Sequence, residues 1–293
     1  MNFSQWHQSG QYFNYKKQYP VFFQEAGQGD PILFLHGFPT ASWDWHKIWE
    51  PLAQNYRLIA FDFMGFGYSA KPKSYHYSIL DQADLAEALL QHLGIQKPHI
   101  FAHDYGDTVG QELMARFIER QEQSRERFDI QSMCYLNGGL FPERHQARPI
   151  QKALISPLGV FLTPFLNKKM LDKNFKQIFG PNTQASPQEI DEFYTLMEHK
   201  GGKYIFHKLI RYMAERKQYR DRWVNTLIHP PCPIRLIDGA LDPVSGRHLA
   251  EYYLKVIPHP DVVILDNIGH YPQTEAPEEV LELYQKFRKK IKL

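Results

Sequence analysis

Three side chains able to act together as nucleophile, base and orienting acid fall, in chain order, just past short apolar runs. They are Asp104 in "AHDYGD", Asp242 in "DGALDP" and His270 in "DNIGHYPQTEAPEE". A small residue followed by X-Asp-X-Gly, between an apolar run and a helix-like stretch, has the layout of a nucleophile elbow, a strand-to-helix turn that exposes its central side chain. The carboxylate at the tip decides the chemistry. Attacking a carbonyl, it would give an anhydride, which gains little over direct hydrolysis. Attacking a saturated carbon that bears a good leaving group, it gives an alkyl ester, stable enough to be an intermediate. Asp104 therefore argues against esterase or lipase action and for displacement at an epoxide or carbon–halogen carbon. His270 then serves as general base for the water that cleaves the ester, oriented and charge-compensated by Asp242.

Such a triad needs a sheet to hold it. "PILFLHG", "RLIAFD", "PHIFAH" and "SMCYLNG" are near-continuous apolar runs of strand length, the pattern of strands buried on both faces of a parallel sheet. Helical spacing lies between them. In "SILDQADLAEALLQHLG", Leu80, Ala83, Ala86, Leu89, Leu90 and Leu93 recur at three and four, with Ser78 as cap and Gly94 as stop. The alternation predicts an α/β fold with a mostly parallel, doubly wound sheet, to which Tyr12–Glu25 adds antiparallel edge strands. From residue 142 to 228 no buried strand is readable, only helices such as "SPQEIDEFYTLMEHKGG", with Ser186 and Glu189 as a capping box. Strand-like runs resume with "PIRLIDG" and "DVVILD". The expectation is a core of residues 1–141 and 229–293 with a helical lid, 142–228, inserted before the last strands. The lid would lie over the carboxyl ends of the strands, where open α/β sheets bind ligands. Phe161, Phe165, Phe175 and Phe179 are expected to pack it against the core and to suggest an apolar pocket.

The 293 residues, 43% hydrophobic and 23% charged, describe an ordinary globular protein, and a net charge of +2 is too small to argue for nucleic acid or an anionic membrane surface. The C-terminal "KFRKKIKL" reads as a solvated helix end. Cys134 and Cys232 form no CxxC pair, the N-terminus has no signal-peptide pattern, and no stretch is long enough to span a bilayer. A reducing, cytoplasmic location is the expectation. No metal-ligand spacing and no nucleotide-binding glycine motif follows a strand, so no cofactor is implied. Oligomeric state is left open.

"HGFP", "DFMGFGYSAKP", the elbow and "GHYPQTEAPE" together resemble the α/β-hydrolase fold, in its epoxide hydrolase/haloalkane dehalogenase branch, whose nucleophile is aspartate. "HDYGD", "NGGLFPE" and "RYMAERKQYRDRW" look most like the mesoderm-specific transcript group and its bacterial relatives, a similarity that does not settle the substrate. The resemblance implies that the backbone N–H groups of Phe38 and Tyr105 form the oxyanion hole. It also implies that Tyr212 is one of the two lid tyrosines that protonate an opening epoxide. The first lid tyrosine has no clear counterpart; Tyr194 and Tyr204 are weak candidates. The halide clamp of the dehalogenases is missing, because Phe38 and Tyr105 stand where its side-chain N–H donors would. Trp43, in the neighbouring loop, is a candidate for substrate contact instead. The favoured expectation is a hydrolase that converts a small apolar epoxide to a diol. The alternatives are a haloalkane- or lactone-acting hydrolase, and a lidded binding protein that does no turnover.

Overall fold

A computed structural model describes residues 1–123 and 128–291 and gathers the apolar runs into one eight-stranded sheet. Its strands are β1 (Gln11–Tyr15), β2 (Tyr19–Ala26), β3 (Pro31–Leu35), β4 (Arg57–Phe61), β5 (His99–His103), β6 (Ser132–Leu136), β7 (Ile234–Gly239) and β8 (Val262–Leu265). The order is β1-β2-β4-β3-β5-β6-β7-β8. β1 and β2 are antiparallel edge strands, and every pairing from β4 to β8 is parallel. β5 and β6 are buried at all their positions, as strands covered by helices on both faces must be.

Four helices precede the second half of the sheet: α1 (Phe3–Ser9), α2 (His46–Ala53), α3 (Ile79–His92) and α4 (Tyr105–Glu122). α3 begins and ends as its sequence predicts. The Ser78 hydroxyl accepts the Asp81 N–H at 3.1 Å, and Gly94 closes the helix with φ +67°. α2 shows the helical spacing, with Trp45, Ile48, Trp49 and Leu52 buried at three and four, whereas α1 is not announced by apolar periodicity. α1 is too short to show any, and a single buried side chain holds it: Trp6, edge-on to Trp43 at 5.4 Å and Trp49 at 5.0 Å.

Between β6 and β7 the described residues form no strand. They form α5 (Pro149–Ile155), α6 (Gly159–Leu162), α7 (Lys168–Ile178), α8 (Pro187–Glu198), α9 (Phe206–Leu209), α10 (Tyr212–Gln218) and α11 (Arg220–Ile228). Polar clamps tie this helical segment to the sheet layer. Glu112 of α4 accepts from Arg222 at 2.8 and 3.1 Å and from the Trp223 indole at 2.8 Å. Phe175 and Phe179 pack inward, stacked on one another at 5.2 Å and against Tyr271. Phe161 and Phe165 do not, contrary to expectation. They are 68% and 71% exposed, because the short turns that carry them bury Gly159, Thr163 and Leu166 instead.

The chain closes with α12 (Arg247–Val256), α13 (Pro272–Glu275) and α14 (Pro277–Lys290). The basic run at the end of α14 is less solvated than expected. Arg288 is buried, with its guanidinium 4.8 Å from the Tyr56 ring and 3.0 Å from the Asp30 carboxylate.

Candidate active site

After β3 the chain crosses to β4 on one side of the sheet, and β5 then pairs on the other side of β3. The loops leaving β3 and β5 therefore diverge, which opens a crevice at the carboxyl ends of these strands. Asp104 occupies the turn between β5 and α4 with φ +47° and ψ −101°, a conformation strained for a residue with a Cβ. The turn is tight enough that the next residue but one must be glycine: a Cβ on Gly106 would lie 2.1 Å from the Leu35 carbonyl oxygen. Asp104 Oδ2 accepts the Phe38 N–H at 3.1 Å. Tyr105 is the first residue of α4, so its amide belongs to the helix N-terminal set that lacks intrahelical acceptors.

His270 Nδ1 lies 2.7 Å from Asp242 Oδ2. Asp242 also accepts from the Val244 and Ser245 amides at 2.7 and 3.0 Å, the Ser245 hydroxyl at 2.7 Å and the Asn137 side-chain amide at 3.1 Å. Burial opposes its charge, but His270 and these donors hold it below the usual carboxylate range. Burial likewise opposes charge on His270; Asp242 and, more weakly, Asp104 outweigh it and raise the imidazole pKa to about 9. The loop carrying His270 is fixed on two sides. Its own N–H donates to the Ile178 carbonyl at 2.8 Å, and His103 Nε2 donates to its carbonyl at 2.8 Å. His103 is thus a hydrogen-bonding support for the histidine.

Asp104 and His270 line the same cavity, of about 110 Å³. Its walls are mainly apolar: Phe38, Leu154, Leu166, Met170, Phe175 and Phe206 among them, with Asn167, Asn174 and Arg148 as polar exceptions. The lining presents few polar groups to the space it encloses.

Tyr212 is buried with its ring 4.9 Å from Tyr105 and 6.1 Å from Phe38, behind the cavity wall that Phe38 lines and Tyr212 itself does not. Its hydroxyl has no hydrogen-bond partner among the described residues, and burial, with the Asp104 charge second, raises its pKa. Trp43 is not on the cavity wall. Its indole donates to Glu192 of α8 at 2.9 Å, so it braces the helical segment and is unsuited to substrate contact. Tyr194 donates to Glu198 at 2.8 Å and Tyr204 is 46% exposed; neither reaches the cavity. Asp107, in the first turn of α4, is fully buried, and burial followed by the Asp104 charge raises its pKa well above the usual carboxylate range, which favours the protonated form.

Arg216 is the cation that sequence reasoning missed. Its Nη2 donates to the Asp104 backbone carbonyl at 2.9 Å and lies 3.6 Å from Asp104 Oδ1, and its Nε donates to the Thr108 hydroxyl at 2.7 Å. The guanidinium also covers the Tyr212 ring at 4.6 Å. The spacing was available: Tyr212 and Arg216 stand four apart on one helix and so share a face. Asn137 and Glu275 were also passed over. Asn137, just past β6, accepts the Gly239 N–H at 2.6 Å while donating to Asp242. Glu275 Oε2 accepts from Gly180 N–H at 2.7 Å and Gly269 N–H at 2.9 Å, joining the His270 loop to the segment after α7.

Among the described residues, no group of three or more His, Cys, Asp or Glu side chains is placed to hold a metal ion. Likewise no helix is long and apolar enough to cross a membrane. Residues 30–125 match the model of the alpha/beta hydrolase fold family. The chain is 42% identical over 296 residues to the mesoderm-specific transcript homolog protein of Bos taurus, covering 96% of this chain and 86% of that one. It is 35% identical to LipZ of Mycobacterium tuberculosis over 262 residues, 89% of each chain. The crystal structure of the haloalkane dehalogenase DbeA from Bradyrhizobium elkani superposes with a TM-score of 0.78 at 22% identity, covering 94% of this chain and 95% of that one. By sheet order, elbow and sequence identity, the chain belongs to the α/β-hydrolase family.

Proposed function

We propose that this hydrolase displaces a leaving group from a saturated carbon through an Asp104 alkyl ester, with an apolar epoxide as its substrate and a diol as product. One observation carries the reading: a carboxylate, where a hydroxyl would serve acyl transfer, stands on the strained elbow and shares an apolar cavity with His270. In the first step Asp104 Oδ1 bonds to the epoxide carbon and the carbon–oxygen bond of the ring breaks. The ring oxygen takes its proton from Tyr212, whose unpartnered hydroxyl supports that role. Oδ2, already bound to the Phe38 N–H, becomes the ester carbonyl oxygen.

In the second step a water attacks the ester carbon, giving its proton to His270, and the Phe38 and Tyr105 amides receive the oxyanion. The collapse returns that proton to Oδ1, which leaves as part of the diol. His270 starts this cycle as a cation, a poor base. Its proton passes to the Tyr212 phenolate left by ring opening, and the carboxylic acid formed at Asp104 on collapse restores it. Esterification removes the Asp104 charge, one of the influences that raise its pKa, and so favours the neutral imidazole when it is needed.

The test is a styrene oxide single turnover in oxygen-18 water, together with a His270→Gln variant. Label in the peptide containing Asp104, and a stable adduct mass on the variant, are the expected results. No label and no adduct would refute the covalent route and favour a binding protein. No tryptophan lines the cavity, so a halide lacks the indole donors of a clamp; halide release from a chloroalkane panel would overturn that distinction. Carboxylate release from a strained lactone would shift the substrate while keeping the nucleophile.

A further inference from the structure

The stretch from Leu154 to Leu166 is built inside out. Gly159, Thr163 and Leu166 recur at four and three and are buried, so they form the inward face of a helical ribbon. The outward face should then be polar. Instead Leu158, Phe161 and Phe165, at three and four, stand 65%, 68% and 71% exposed, with Ile155 and Val160 beside them at 38% and 44%. Single exposed apolar side chains are ordinary, whereas a cluster of bulky ones on one face marks a surface that is covered in use. The tight turn fixes this display: a Cβ on Gly159 would lie 1.9 Å from the Leu154 carbonyl oxygen, so α6 is pressed directly onto α5.

Charge identifies what covers it. Between Glu143 and Asp172 the sequence carries Arg144, Arg148, Lys152, Lys168 and Lys169 and no acidic residue, in a protein whose net charge is only +2. Lys168 pairs with Asp191. The other four are in no ion pair among the described residues. An apolar, aromatic-bearing face framed by basic side chains is the composition that settles at the boundary between lipid headgroups and acyl chains. The same ribbon also forms the cavity wall: Leu154 and Leu166, its inward side chains, line the space above Asp104.

We infer that this face of the lid docks on an anionic lipid bilayer, with Leu158, Phe161 and Phe165 in the interface and the exposed Lys152 and Lys169 against lipid phosphates. Net charge conceals this, because the positive charge is concentrated in one segment. Resting on the proposed reaction, the docking also describes the substrate's source, a molecule dissolved in the membrane that enters the cavity past the ribbon.

The test is co-flotation of the full chain with phosphatidylcholine vesicles, with and without phosphatidylglycerol, at low and high salt. Wild type is expected to float only with the anionic vesicles and to be released by salt. Phe161→Ser/Phe165→Ser and Lys152→Glu/Lys169→Glu should each weaken flotation by at least about tenfold. All four positions are exposed, so circular dichroism melts should match wild type and separate lost docking from lost folding. Equal flotation with both vesicle types, none with either, or Phe variants that float like wild type would each overturn the inference. So would a concentration-dependent dimer in sedimentation velocity that the Phe variant abolishes. None of these outcomes bears on ester trapping at Asp104, so the docking and the chemistry fail separately.

Discussion

The Arg216 guanidinium grips Asp104 by its backbone and reaches its side chain as well, 2.9 Å from the carbonyl oxygen and 3.6 Å from Oδ1. In the proposed mechanism Oδ1 is the oxygen that leaves with the product in the second step, where a fixed cation beside it would stabilise the charge of the departing alkoxide. Arg216→Met should slow turnover by about 10²-fold, the size of effect expected for one preorganised electrostatic donor. Because the loss falls on ester cleavage, the adduct should persist and be visible by intact mass. Arg216→Lys should recover part of the rate, since it keeps the charge and loses the fork that spans Thr108 and Asp104. Gly139→Ala should imitate Arg216→Met without touching the charge: its Cβ would sit 2.2 Å from Nη1.

His270 reports on the charge of its neighbour. With its pKa raised to about 9, partly through Asp104, the imidazole of Asp104→Asn should titrate at a lower pH than that of wild type, read from its ring resonances by NMR. An unchanged titration would mean that the ester cannot switch His270 to a base in the manner proposed. The same shift has a stability consequence with a defined sign. A folded pKa above the unfolded 6.5 means that the native state holds the proton more tightly, so the stabilisation is complete below about 6.5 and is lost as pH rises through about 9. The difference in denaturant midpoint between wild type and His270→Gln should therefore shrink between neutral and alkaline pH.

The elements that hold the candidate triad were legible because the strands before it are near-continuous apolar runs and each candidate residue lies within five positions of a strand end. β5 followed by Asp104 and β7 followed by Asp242 are read from spacing alone. The supports were not, because they act across chain distances that no local pattern records. Arg216 meets Asp104 from 112 residues away, and Asn137 meets Asp242 from 105. Trp43 was read as a substrate contact because it lies near the "HGFP" loop, yet its indole turns toward Glu192. Phe161 and Phe165 were read as core because apolar residues on a helix usually face inward. Only the buried glycine and threonine opposite them reveal which side is inside.

Asp107 is a carboxyl group whose charged form the fold disfavours: it is fully buried beside Asp104, and burial favours its protonated form. Asp107→Asn, an amide of the same shape as the protonated acid, should change unfolding free energy by less than about 1.5 kcal/mol. Gly138→Ala should be the more damaging change, because its Cβ would meet Asp107 Oδ2 at 2.1 Å and the Cγ at 2.6 Å. Overpacking of that kind costs about 1–3 kcal/mol. Urea denaturation of the two variants decides between them; the reverse ranking would mean that Asp107 is charged in the native state.

Glu275 joins the His270 loop to the segment after α7 using both carboxylate oxygens. Oε2 accepts from Gly180 N–H at 2.7 Å, Gly269 N–H at 2.9 Å and the Thr183 hydroxyl at 2.6 Å, while Oε1 accepts from Tyr271 N–H at 2.9 Å. Glutamine has one such acceptor. In either orientation its NH2 would face at least one backbone N–H, leaving a donor unpaired where the carboxylate had satisfied it. Glu275→Gln should thus cost about 1–3 kcal/mol of stability. Its catalytic effect should be uneven. Asp104 and the Phe38 amide stand on the loops after β5 and β3, apart from Glu275, so ester formation should run at nearly the wild-type rate. His270 lies between two of the amides that Glu275 holds, so ester cleavage should slow. Single-turnover kinetics resolve the two steps, and equal slowing of both would show that Glu275 supports the fold at large and has no particular hold on the position of His270.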